Sequence, residues 1–167
     1  MNFDDILEKK LDIKFYEFSN CFAFEPESLN FSCLNLNISD NKLNNQIIAF
    51  PIAISSNMEI SSLNLSKVAF GASGHSFDRK ITDSGNTFET LFKQGSISCS
   101  LDEVVDKFNI LPNYIKIDTD GNELKVLNGM KKTLSLNELK SICIELNPNF
   151  NEHLEAYNIL KNNFKTY

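Results

Sequence analysis

The sequence predicts one α/β domain on a mostly parallel sheet, and three observations predict it. Short apolar runs that read as buried strands alternate with amphipathic segments at helical spacing. Three of those runs finish on a carboxylate. The chain is 167 residues long, 42% hydrophobic and 11% aromatic, which suits a single domain able to bury roughly two thirds of its unfolded surface.

Taken in order, Asp4 or Asp5 caps an expected helix over residues 4–18, where Leu7, Leu11, Phe15 and Phe18 recur at three- and four-residue steps. Residues 15–18 also read as strand. A short strand over residues 21–24 stops at Glu25-Pro26, and Pro26 with Ser28 opens a helix to about Ile38. Residues 46–55 (QIIAFPIAIS) form a second apolar strand. Residues 58–70 alternate as a hairpin would, and residues 71–99, which hold four of the six glycines, read as a long irregular excursion of the kind that usually carries function. Ser100 with Glu103 is a capping box opening a helix through Val104, Val105 and Phe108. A strand over residues 114–118 precedes the Thr119-Asp120-Gly121 turn and a helix with Leu124, Val126, Leu127, Met130 and Leu134 inward. A strand over residues 141–145 and a helix from about Asn151 to Asn163 complete the pattern.

Composition narrows the function. The net charge is -6 with no basic cluster, which argues against nucleic acid. The apolar runs are far shorter than the roughly 20 residues of a membrane span, and the acidic start is no signal peptide, so the expectation is a soluble, cytoplasmic protein. Cys21, Cys33, Cys99 and Cys143 show no CxxC spacing, and His75 and His153 lack cysteine partners at ligand spacing. Reduced, mostly buried thiols and no metal are expected. The 22 asparagines reflect nucleotide bias more than chemistry.

The acids at the strand ends are Glu25, Asp118 and Glu145. In a parallel sheet the carboxyl ends share one edge, where ligands bind. Glu25 suits the ribose hydroxyls of a nucleoside ligand, or else a helix N-cap. Asp118 and Asp120 suit positioning of a substrate hydroxyl, general base catalysis or a divalent ion; the bland alternatives are a cap and a turn. Glu123 reads as a dipole partner in a first helical turn, and Glu145 either faces the crevice or pairs with a lysine. His75, in Gly74-His75-Ser76, is either a general base beside the crevice or a solvated loop residue, and His153 reads as surface. Ser55, Ser56 and Cys99 lack the context of a nucleophile.

The stretches CFAFEPESLNFSCLNLNI, IIAFPIAIS, SISCSLDEVVDKF, YIKIDTDGNELKVLNGMKKTL and SICIELN, which together cover most of residues 21–147, resemble the FkbM-type methyltransferases. That family depends on S-adenosylmethionine and has a Rossmann-like sheet. The resemblance implies that Glu25, with Pro26 beside it, binds the donor's ribose. It puts Ala53 and Ser55 near the adenine and Asp118 beneath the transferring methyl. Asp120 matches an acidic position of the family. The implied acceptor is a hydroxyl on a small molecule or glycan, with Asp118, Asp120 or His75 as the base.

The same resemblance marks a departure. The family starts its sheet with a strand and a Gly-rich turn of the DxGAxxG kind, whereas residues 1–20 contain no glycine. The chain also stops where closing strands would follow. The expected sheet therefore lacks its first strand and its C-terminal strands, as in a truncated reading frame, unless residues 12–18 supply the missing strand. Two further readings stay open: an inactive fragment or interaction module, and a nicotinamide enzyme using Glu25 on the ribose, which also lacks its glycine fingerprint.

Overall fold

A computed structural model describes residues 20–82 and 84–163; the helix or strand expected before residue 19 lies outside them. Eight strands and four α-helices follow in the order β1 (Cys21–Phe24), α1 (Ser28–Asp40), β2 (Ile47–Phe50), β3 (Ala53–Ile54), β4 (Glu59–Leu65), β5 (Ser76–Phe77), β6 (Phe92–Cys99), α2 (Leu101–Phe108), β7 (Tyr114–Ile117), α3 (Glu123–Asn128), β8 (Ser141–Ile144) and α4 (Asn151–Asn163). A 3-10 turn, Thr133–Ser135, precedes β8.

The strands fall into three sheets. β1 pairs with β2 in parallel, from Cys21 opposite Ile47 to Phe24 opposite Phe50. β7 pairs with β8 in parallel, from Tyr114 opposite Ser141 to Ile117 opposite Ile144. The third sheet has the order β3-β6-β4-β5 and is mixed: β3 and β6 are parallel, while β4 runs antiparallel to both β6 and β5. A single, mostly parallel sheet is therefore not what these residues form.

Two local departures account for the mixed sheet. The apolar run 46–55 is two strands, because Pro51 has no N–H to give a ladder; the chain bends there and restarts as β3 against β6. The excursion ends earlier than its composition suggested. β6 pairs with β4 at seven positions, from Glu59 opposite Ser98 to Leu65 opposite Phe92, and buries small polar residues, Ser96 and Ser98, where a strand pattern calls for large apolar ones.

The main core lies where α2, α3 and α4 pack against β7 and β8, and contains Leu101, Val104, Ile117, Val126, Leu127, Met130, Leu134, Ala156 and Leu160. Phe22, Phe50 and Phe108 form an aromatic cluster with centroids 5.3–6.2 Å apart, tying β1 and β2 to α2. A smaller cluster of Ala53, Leu63, Leu65 and Phe77 supports the mixed sheet. All four cysteines are free thiols, but Cys99 alone among them is buried, and Cys21 and Cys143 are exposed. No helix among the described residues is long and apolar enough to cross a membrane.

Candidate functional site

At the carboxyl end of β7, Asp118 leads into a tight turn in which Asp120 has φ 50° and Gly121 φ 103°. Aspartate tolerates the left-handed region better than most side chains, and glycine enters it freely. Asp118 is half exposed and holds Lys116 Nζ at 3.0 Å. Glu123, the first residue of α3, turns back onto this turn: its Oε1 accepts from Thr119 N at 3.0 Å, Thr119 Oγ1 at 3.1 Å and Gly121 N at 3.3 Å. Its Oε2 lies 2.7 Å from His153 Nε2, and His153 Nδ1 accepts from Asn147 N at 2.8 Å. Both side chains are 2% exposed.

Beside this pair opens a cleft of about 280 Å³ lined by Asp118, Asp120, Glu123, Glu145, Asn147 and His153, together with Leu146 and Pro148. Two of the three strand-end acids thus share one wall-to-wall space. Glu145 faces this cleft and forms no salt bridge with a lysine among the described residues.

Glu25 follows β1, and its N–H continues the ladder to Phe50 O. One carboxylate oxygen, Oε1, accepts from Glu27 N at 2.8 Å. The helix-capping role, the alternative reading for Glu25, belongs to Glu27, whose carboxylate accepts from Leu29 N and Asn30 N. Pro26 is anchored through its carbonyl, which accepts from Gln94 Nε2 at 2.6 Å. Burial pushes the Glu25 carboxyl above the ordinary carboxylate range; the Glu27 N–H opposes this, and the charges of Glu27 and Asp120 add to it. Glu25 and Asp120 are therefore electrostatic neighbours, although 95 positions separate them in the chain.

The excursion between β4 and β6 is stapled over these residues. Gly74 N donates to Asp120 Oδ2 at 2.8 Å, and Asn122 Nδ2 to Ser76 Oγ at 3.1 Å. Arg79 Nη1 holds both oxygens of Glu152, and Nη2 donates to Gly121 O. Asn30, at the start of α1, grips the same segment through Gly71 N and Ala72 O. His75 sits inside this arrangement with both ring nitrogens buried and without a partner among the described residues. Burial lowers its pKa below the ordinary imidazole value, against the pull of the Glu27 and Asp120 charges.

The structure thus brings the His75 loop onto Asp120 through Gly74 and joins Asp120 to Asp118 in the cleft, with Glu25 within electrostatic reach of Asp120. Of the other candidate residues, Glu25, Pro26, His75, Ala53 and Ser55 do not line the cleft. Ala53 is buried in β3, and the Ser55 backbone packs on Gly129 just past the C-terminal end of α3, one helix length from the turn. Cys99 is buried, and burial pushes its thiol up, which disfavours the thiolate.

His153, expected on the surface, is instead buried; Glu123 stands in the first turn of α3 as expected of a dipole partner, and its side chain is also buried in the site. The periodicity of α4 carried the signal for His153, which shares a buried face with Ala156 and Leu160 at helical spacing.

A family model described as the methyltransferase FkbM domain matches residues 8–165. No curated protein and no solved structure matches the chain.

Proposed function

This protein belongs to the FkbM methyltransferase family, since the match spans nearly the whole chain, and from that premise we propose that it transfers a methyl group from S-adenosylmethionine to a hydroxyl on a sugar or other small metabolite. The observation that carries the reading is that Asp120, just past the carboxyl end of β7, is held by Gly74 beside His75, while Glu25 follows the carboxyl end of the other parallel pair. Family membership supports methyl transfer in general, and Glu25 and the carboxylate-lined cleft suit this donor, whereas Ala53 and Ser55 lie away from the cleft. Glu25 Oε2 has no hydrogen-bond partner among the described residues, which supports a role in accepting from a ribose hydroxyl. The cleft is lined by carboxylates, which favour a positively charged sulfonium.

When bound, S-adenosylmethionine supplies an electrophilic methyl group on its sulfur. Glu25 holds the ribose side, while Asp118 and Asp120 accept hydrogen bonds from neighbouring hydroxyls of the acceptor and hold its reacting oxygen in line. His75 takes the hydroxyl proton, since a neutral imidazole offers a lone pair near neutral pH. The test is transfer of a labelled methyl group from the donor to a panel of sugars and polyols. Label in an acceptor, at least tenfold above a Glu25→Gln control, is the expected result.

A second reading, a methyltransferase-like fold that binds the donor without turnover, is favoured by one observation: β1–β2 and β7–β8 stand in separate sheets among the described residues. Binding of S-adenosylhomocysteine with no label in any acceptor is the outcome that belongs to it.

A further inference from the structure

We propose that Glu123 and His153 act as a positioning pair that sets the distance between the two walls of the cleft. The proposal rests on the reading of Asp118 and Asp120 as site residues. One wall is the turn after β7, which carries Asp118 and Asp120; the other is the segment after β8, which carries Glu145 and Asn147. The two are linked by a continuous chain of hydrogen bonds: Thr119 and Gly121 donate to Glu123, Glu123 meets His153, and His153 accepts from the Asn147 N–H.

Chemistry fixes the direction of every bond in that chain. A backbone N–H can only donate, so Nδ1 of His153 is the ring's acceptor and Nε2 carries the proton, which it donates to Glu123 Oε2. The other tautomer would set N–H against N–H at Asn147 and a lone pair against a carboxylate. Glu123 in turn has no spare oxygen: Oε1 serves the turn and Oε2 serves the histidine.

Stability alone does not call for this arrangement. A fully buried carboxylate and imidazole are costly to desolvate, and well-packed apolar residues of similar volume usually serve a core as well. What apolar residues cannot do is orient Thr119 and Gly121, whose backbone directs Asp118 and Asp120. Asp120 is also held by Gly74 N and Gly121 O by Arg79, so loosening Glu123 frees one of the restraints on the turn.

The test uses the full chain labelled with ¹⁵N. In the wild type, the long-range ¹H–¹⁵N spectrum is expected to show His153 as the Nε2–H tautomer. In His153→Leu, amide exchange at Thr119 and Gly121 is expected to quicken by about tenfold while the core strands keep their protection, as follows when a buried carboxylate loses a partner. S-adenosylhomocysteine should bind about tenfold more weakly to that variant. His153→Gln, which keeps an N–H donor toward Glu123, should recover most of both losses.

An Nδ1–H tautomer in the wild type overturns the proposal, as does a folded His153→Leu with unchanged exchange at Thr119 and Gly121 or unchanged affinity. Should His153→Leu fail to fold, the wild-type tautomer and His153→Gln decide it, with wild-type exchange and affinity expected in the latter. If the wild type binds no S-adenosylhomocysteine, the methyltransferase reading fails, and the tautomer and exchange rates still judge the pair.

Discussion

Glu25 holds its proton more tightly in the folded chain than the ordinary carboxyl value of 4.5 would allow, chiefly because it is buried. Its contribution to stability therefore falls as pH rises from that ordinary value through the raised one. Glu25→Gln should be more stable than wild type at pH 7 and lose that advantage near pH 4, as urea melts at both values would show; a variant less stable at pH 7 contradicts the assignment. His75 is perturbed the other way. Its pKa lies below 6.5, so the acid limb of the methyl-transfer rate should fall below that pH. His75→Gln should remove the limb and slow transfer by roughly 10²-fold or more, measured as initial rates across pH. Glu25, Asp118 and Asp120 were legible in the sequence because each sits at or just beyond a strand end, where local pattern alone predicts exposure to a shared edge. Glu123 and His153 were not, because their meaning lies in each other and in Asn147, and no short-range pattern encodes a partner 30 residues away.

At the scale of elements, what local chemistry controls was readable. The Ser100 capping box is present on both sides, Ser100 Oγ accepting from Glu103 N and the Glu103 carboxylate from Ser100 N. α4 spans the expected residues, and both parallel pairs use the expected strands. What depends on pairing was not readable: β6 has too few large apolar residues to announce itself, and its place comes from β4. Gly129 is another such case. A Cβ there would stand 2.1 Å from Ser55 O and 3.0 Å from Ser56 Cα, both backbone atoms of the segment after β3. That segment docks on the end of α3 because residue 129 has no side chain. Gly129→Ala should cost roughly 2–4 kcal/mol by overpacking a site that cannot relax, against a few tenths for alanine at Gly95, where nothing lies within 4 Å. Equal denaturation midpoints for the two variants would show that the docking is not needed.

The described residues form two parallel strand pairs and a mixed sheet, with an excursion that Gly74, Ser76 and Arg79 anchor to the turn around Asp120. Family membership was legible from the strand-end motifs; the division into three sheets was not, because strand order is a property of long-range pairing that one sequence does not display. The proposed donor site joins Glu25 to the cleft through Asp120. The most direct measurement is thermal unfolding with and without excess S-adenosylhomocysteine, for the wild type and Glu25→Gln. Ligand at about 100 times its dissociation constant should stabilise the wild type by roughly 2.7 kcal/mol and leave Glu25→Gln nearly unmoved. No shift in the wild type, or an equal shift in both proteins, would contradict the account.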